Sequence, residues 1–379
     1  MEGFKRMVGK DQDKEKRKKM KILVIRLSSI GDVLLTTAVL KAWKKKYPDS
    51  ILDFVVLKQF QAAIQDCPYI DHIYVFDKKK HDGIRNIRKF SKALKENGYD
   101  YIFDLHNKFR SQWMRWSMGI PYFVYPKRKW WKSLLVNLGL ISYQVDDTII
   151  KNYFAAFSSF SLDYHGEDLY FAVKEEEKKK FESYRNFPVL APGASKNTKK
   201  WPVENFALLA KLLHQKYSYP SILIGGKEDE ENCNKIIELS EGSAISFAGK
   251  LSLQESGALL SQAAFLVSND SGPFHIARGV KCPSFVIFGP TSPGMFELGE
   301  QDVLIYAGVE CSPCSLHGDK KCPKKHFRCM KEITAEQILK KIEEKNSKEG
   351  VFSDGKSKRK NDGVNSEAKG LRNGCKRNN

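Results

Sequence analysis

Two doubly wound α/β domains in tandem are what this sequence predicts, and three observations predict them. Short β-rich runs alternate with helical stretches from Lys21 onward, the pattern of parallel sheets covered by helices. The alternation breaks off over 111–165, where aromatic clusters and a Pro-flanked basic segment carry no clear period, and it resumes from Phe187. In both halves the polar, glycine-bearing turns follow strands, the end of an open α/β sheet at which ligands bind.

The first half opens with the strand ILVIR and a helix from Val33 to Lys46. ILDFVVL is the second strand, a helix is expected around Phe60 to Asp66, and HIYVFD is the third strand. A basic helix over Gly83 to Asn97 and the strand YDYIFDL follow. The charged stretch KEEEKKKFESYR at 174–185 reads as a surface helix linking the halves. The second half then runs FPVLAPG, a helix from Pro202 to about Lys216, SILIGG, a helix from Glu230 to Leu239, and AISFAG. It closes with a helix from Leu253 to Ala263, FLVSND, a short helix from Pro273 to Gly279, and SFVIFG. The expected layout is a basic extension over 1–19, an N-terminal domain over 20–170, a C-terminal domain over 171–344 that starts with the linker helix, and a tail over 345–379.

A hydrophobic fraction of 41% with 12% aromatics in 379 residues supplies two cores. No apolar run has spanning length, and the first twenty residues lack the apolar middle of a secretory signal, so a cytoplasmic location is expected. The formal charge of +19 invites a nucleic-acid reading, but residues 1–20 carry eight Lys and Arg against four Asp and Glu, and residues 345–379 carry ten against four. More than half the excess thus sits in end segments poor in apolar residues, which are expected to be disordered. No nucleic-acid motif accompanies the charge, and no such partner is expected.

Of the eight cysteines, four cluster as C-x2-C-x7-C-x6-C: Cys311, Cys314, Cys322 and Cys329. The first pair has the spacing of a zinc knuckle. A structural zinc, a redox-labile cluster and four small buried side chains all stay open. Any zinc here is structural, since four thiolates leave no position for substrate.

Four turns carry candidate chemistry. In Ser28-Ser29-Ile30-Gly31-Asp32, Asp32 either caps the following helix or serves as a general base, kept ionised by the helix N-terminus. There is no G-x-G-x-x-G after that strand and no G-x-x-x-x-G-K-[ST], which lowers the dinucleotide and P-loop readings. In APGASKNTKKWP, Lys199 and Lys200 stand before a helix that Pro202 starts, the arrangement of a phosphate clamp, although loop lysines are usually only solvated charge. In Ser268-Asn269-Asp270-Ser271-Gly272-Pro273, successive N–H groups can cradle a pyrophosphate, with His275 in support. Gly225-Gly226 with Glu228 and Asp229 is similar to a ribose-binding turn. PKRKWWK at 126–132 suits either an interfacial loop touching anionic lipid or two tryptophans under a basic surface.

Taken in order, KILVIRLSSIGDVLLTTAVL, FDLHNKFRS, APGASKNTKKWP, LVSNDSGPFHIA and FGPTSP resemble glycosyltransferase family nine, the ADP-heptose:lipopolysaccharide heptosyltransferases, from about Met20 to about Leu339. The resemblance implies the GT-B fold, two Rossmann-like domains facing a central cleft. It implies inverting transfer of heptose from ADP-heptose to the Kdo-bearing lipid A of the lipopolysaccharide inner core, at the inner face of the cytoplasmic membrane and with no cofactor required. By that resemblance Asp32 is the general base, and Lys199 contacts the donor phosphates. Ser29, Gly31, Asp270, Ser271 and Gly272 bind the donor, Asp229 or its neighbour Glu228 meets the ribose, and Thr291 and Ser292 lie beside the same pocket. Lys108 and Arg110, with PKRKWWK, are expected to face the acceptor. Another nucleotide sugar, an epimerase of the same fold, and a non-catalytic basic binder of lipid or nucleic acid are the alternatives.

Overall fold

The computed structural model of the chain describes residues 19–126 and 147–350. Residues 1–18 of the expected extension, Lys127 to Lys132 of the PKRKWWK segment and the tail beyond Gly350 lie outside the described residues.

In the first unit, β1 (Lys21–Ile25), β2 (Ile51–Leu57), β3 (His72–Phe76), β4 (Tyr101–Asp104) and β5 (Tyr122–Val124) form a parallel sheet in the order β3-β2-β1-β4-β5. β1 is central, with Ile22 paired to Leu52 on one side and Tyr101 on the other. Ile22 to Ile25 are fully buried, as a strand covered on both faces requires. Helices α1 (Ile30–Lys46), α2 (Lys78–His81), α3 (Ile84–Lys95) and α4 (Phe109–Met118) follow their strands. The helix expected near Phe60 is instead a 3-10 turn over Lys58–Ala63.

The chain later returns to this unit with α5 (Ile149–Ala155), and Ile150–Glu167 belong to it. An aromatic cluster explains the return. Phe157 stacks on Phe103 with ring centroids 3.8 Å apart, and Trp43 meets the rings of Phe157 and Phe160 edge-on at 5.6 and 5.3 Å. Lys46 Nζ donates to the carbonyls of Phe160 and Ser161 at 2.8 and 2.6 Å. This explains why the aromatics after residue 150 resist reading by period: Phe157 and Phe160 cover a sheet already formed, and their spacing follows that surface.

Among the described residues the second unit comprises 147–149 and 168–350. Helix α6 (Glu175–Lys179) opens it, shorter than the expected linker helix and ending where Phe181 turns into the core. The strands β6 (Pro188–Ala191), β7 (Ser221–Leu223), β8 (Ala244–Ser246), β9 (Phe265–Asn269), β10 (Ser284–Phe288) and β11 (Asp302–Tyr306) give the parallel order β11-β10-β9-β6-β7-β8. Between them lie α7 (Val203–Tyr217), α8 (Glu230–Leu239), α9 (Leu253–Leu260) and α10 (Gly272–Gly279). After β11 come α11 (Arg328–Lys331) and α12 (Ala335–Glu349).

α12 corrects the expected tail boundary, because it runs five residues past 344 to Glu349. Ile338 and Ile342, one turn apart, are fully buried and Lys345 nearly so, which hides an apolar stripe inside a charged run. β11 was also absent from the expected elements.

Strand order reverses between β1 and β4 in the first unit and between β6 and β9 in the second. Ligands bind beyond the carboxyl ends of strands at such switch points. The loops after β1, β6 and β9, all singled out from sequence, start there. Among the described residues no helix is long and apolar enough to cross a membrane.

Candidate functional site

Each unit gathers polar side chains at its own switch point. In the first, Asp32 is the third residue of α1, and its Oδ2 accepts from the N–H and the Oγ of Ser29 at 3.1 and 2.9 Å. The capping and functional readings therefore coexist: the carboxylate closes its own helix and still keeps 28% of its side chain exposed. Arg26, buried just past β1, places Nη2 2.8 Å from Asp32 Oδ2 and donates from Nη1 to the Leu105 carbonyl. Tyr153, from the returning helix α5, donates its hydroxyl to Asp32 Oδ1 at 3.4 Å, and its ring faces the Arg26 guanidinium at 5.4 Å.

Burial works against a charge on Asp32. The Arg26 guanidinium and the Ser29 donors outweigh it and hold the carboxyl below the usual carboxylate range. Asp32 is thus an ionised, partly exposed oxyanion whose orientation is set from three sides. Gly31 is buried beneath the turn and Ser29 stands exposed at its rim.

At the end of β4, buried Asp104 accepts the N–H groups of His106 and Asn107 at 3.1 and 2.7 Å and pairs with Arg115 at 2.6 Å. This shapes the turn that carries Lys108 and Arg110. Arg110 is held by Asp82 through two 2.9 Å bonds, so any anion reaching it has to compete with that carboxylate. Lys108 is exposed at the start of α4. Arg110 lines an open hollow of about 650 Å³ with Asp82, Gly83, Arg85 and Phe109.

The second unit ties its loops together through Asn269, which is fully buried at the end of β9. Its Nδ2 donates to the Pro192 carbonyl at 2.8 Å and its Oδ1 accepts the Trp201 N–H at 3.0 Å, locking both ends of the 192–201 loop. The next residue, Asp270, meets Lys199 Nζ at 2.7 Å and accepts from Thr291 Oγ1 at 2.9 Å, also through Oδ2. Lys199, Asp270 and Thr291 are therefore brought together from three separate loops. A lysine ammonium has three donors, and Asp270 occupies one, which leaves the rest for an incoming anion.

Ser271 and Gly272 continue from this cluster into α10, with Ser271 Oγ donating to the Asn269 carbonyl at 3.2 Å. Thr291 and Ser292 are both nearly buried. His275 is buried too, its ring 5.1 Å from that of Phe296, a packing position.

Asp229 has a structural task in its own turn, where Oδ2 accepts the Gly226 N–H at 3.1 Å. Burial pushes its carboxyl above the usual range, with the Gly226 bond and Lys200, 3.8 Å away, opposing the shift. A Cβ at Gly193 would come within 2.2 Å of its Oδ2, so a side chain at 193 would have to displace the Asp229 carboxylate. Glu228, the alternative ribose contact, is exposed.

Sequence reasoning missed Arg26, Tyr153 and Asn269. Arg26 ends an apolar strand, and Asn269 is an amide in a β-branched and aromatic strand environment where it is ordinarily depleted. Both were visible as residues out of place. Tyr153 carried no such mark.

A family profile for glycosyltransferase family 9 (heptosyltransferase) matches residues 87–326. Lipopolysaccharide heptosyltransferase 1 of Campylobacter coli is 27% identical over 346 residues, which covers 86% of this chain and 98% of that protein. Among solved structures, a glycosyl transferase family 9 protein from Veillonella parvula superposes with a TM-score of 0.73 at 21% identity, covering 88% of this chain and 98% of the other. The E. coli ADP-heptose lps heptosyltransferase II gives a TM-score of 0.67 at 23% identity, covering 87% and 100%. The two parallel sheets and this likeness are those of the GT-B fold.

Proposed function

Because this chain belongs to glycosyltransferase family 9, we propose that it transfers heptose from ADP-heptose to the inner core of lipopolysaccharide, with inversion at the anomeric carbon. The observation that carries the reading is Asp32, held as a carboxylate by Arg26 yet open to solvent at a switch point.

In the proposed reaction an acceptor hydroxyl oxygen attacks the anomeric carbon as its proton passes to Asp32. The bond to the acceptor oxygen forms while the bond to the ADP phosphate oxygen breaks, and ADP leaves with the electron pair. Lys199 and the N–H groups of Ser271 and Gly272 receive the charge that gathers on the phosphates, in the role a divalent ion would otherwise fill. Ser29 and Gly31 border the sugar, Thr291 positions Asp270, and Asp229 shapes the ribose turn. Lys108 and Arg110 are proposed to meet acidic groups of the acceptor. An acceptor anchored in lipid implies work at the cytoplasmic membrane surface as a peripheral enzyme.

The test is release of ADP from ADP-heptose with and without a Kdo-lipid A acceptor, in the presence and absence of magnesium. Acceptor-dependent, magnesium-independent release is expected. Release that needs no acceptor and yields a free sugar epimer would point to the epimerase chemistry instead. Silence with this donor and with other nucleotide sugars would remove the reading.

A further inference from the structure

We propose that Cys311, Cys314, Cys322 and Cys329 bind one zinc ion as a tetrathiolate, and that this ion fastens the loop that carries Lys199. The cysteines lie in or just after the connection from β11 to α11, residues 307–327, which contains no regular element. Structureless connections beyond about 12–15 residues are uncommon in compact domains and need ties of their own.

The four side chains, with His326, line a small void of about 10 Å³ walled also by Thr198, Pro290 and Asp319. None of the four is in a disulfide. Four thiol-bearing residues around one water-sized space are the donor set of a tetrahedral zinc site, whose Zn–S distance is about 2.3 Å. As they stand, no three His, Cys, Asp or Glu side chains among the described residues are set to hold an ion. Binding therefore draws the sulfurs inward by rotation of their side chains. A tetrathiolate zinc carries a net charge of −2, and Lys320, Lys321, Lys324, Lys325 and Arg328 surround these cysteines in sequence with the opposite sign.

The link to the site runs through Asp319, which lies between Cys314 and Cys322. The Thr198 N–H donates to the Asp319 carbonyl at 3.1 Å, and Thr198 Oγ1 bonds both that carbonyl, at 3.0 Å, and the Asp319 N–H, at 2.7 Å. Gly318 lies against the Lys199 stem so closely that a Cβ there would sit 2.7 Å from Lys199 Cγ. Cross-linking the thiols on either side of 315–321 fixes this clasp, and with it the position of the Lys199 ammonium. The metal site stands on the cysteine cluster alone, whereas any effect on the donor rests on the function proposed above.

Metal content is measured first, on protein purified without chelator or an immobilised-metal column. One zinc per chain is expected, released as a mercurial titrates four thiols. A Cys314→Ser/Cys322→Ser variant should hold less than 0.1 zinc per chain. Its Thr198 amide should exchange hydrogen at least tenfold faster, with the β6 and β9 amides unchanged. If that variant does not fold, wild-type protein stripped by the mercurial and then reduced should regain Thr198 protection on adding one equivalent of zinc.

Iron at that stoichiometry, or no metal before and after adding zinc, overturns the zinc site. Zinc bound without any change in Thr198 exchange overturns the clasp. If both hold but loss of zinc leaves ADP affinity unchanged, the donor role of Lys199 fails and the metal site stands.

Discussion

Replacing Asn269 by alanine should loosen the two ends of the loop that carries Lys199. The side chain is fully buried and makes two strong bonds, to the Pro192 carbonyl at 2.8 Å and from the Trp201 N–H at 3.0 Å. Alanine leaves both backbone groups without that partner, and Trp201 itself is buried. An unsatisfied buried polar group costs about 1–3 kcal/mol, so the pair should cost about 2–6 kcal/mol. At about 2–4 °C per kcal/mol for a domain of this size, the second unit should melt roughly 4–24 °C lower. ADP affinity should fall about tenfold as Lys199 loses its fixed position. Calorimetry and titration of ADP read the two effects separately. Asn269→Asp sharpens the test, because it keeps the acceptor for Trp201 while setting a carboxylate against the Pro192 carbonyl, and it should melt low as well. A melting temperature within 2 °C of wild type for both variants would show that Asn269 is not the tie.

Four further outcomes are expected. Asp32→Ala should lower turnover by at least about 100-fold, the usual range for a general base, while ADP affinity stays within a few-fold; near-normal turnover removes the base assignment. Arg26→Gln takes away the guanidinium that holds the Asp32 carboxyl low, so the acid limb of kcat/KM should move to higher pH, and superimposable profiles would refute the pairing. By the same sign, the stability that ionised Asp32 lends its unit is full above about pH 4 and is lost as acid titrates the folded carboxyl, so Asp32→Asn and wild type should converge only in strong acid. Lys199→Met should weaken ADP binding by about 10- to 100-fold, in line with the loss of a charged hydrogen bond, with melting reduced through the unpaired Asp270; unchanged affinity in the titration would refute the clamp.

The β-rich runs and their following turns were legible because parallel strands buried on both faces are written as unbroken apolar runs, as in Ile22 to Ile25. The turns with Asp32, Lys199 and Asp270 were legible for a related reason: polar residues packed between an apolar strand and a helix stand out. What the turns do to one another was not. That Lys199 reaches Asp270, and that Asp270 also takes Thr291, depends on β6 and β9 being neighbours, with Ala191 level with Ser268. Adjacency across so much intervening chain leaves no local mark. The same holds for Tyr153 beside Asp32 and for Asp319 clasping Thr198. α12 was lost for the opposite reason, since its two buried isoleucines are outnumbered by charges that face water.

The return of residues 150–167 to the first unit has a consequence for how the chain is made. Phe103 and Trp43 are exposed on the nascent sheet until Phe157 and Phe160 leave the ribosome to cover them. At typical synthesis rates of about 5–20 residues per second, that wait lasts several seconds. During it the first unit is a sheet with one greasy aromatic face uncovered, a natural substrate for chaperones. A fragment ending at β5 would keep that face for good, so any attempt to produce the first unit alone should fuse the 150–167 segment back on.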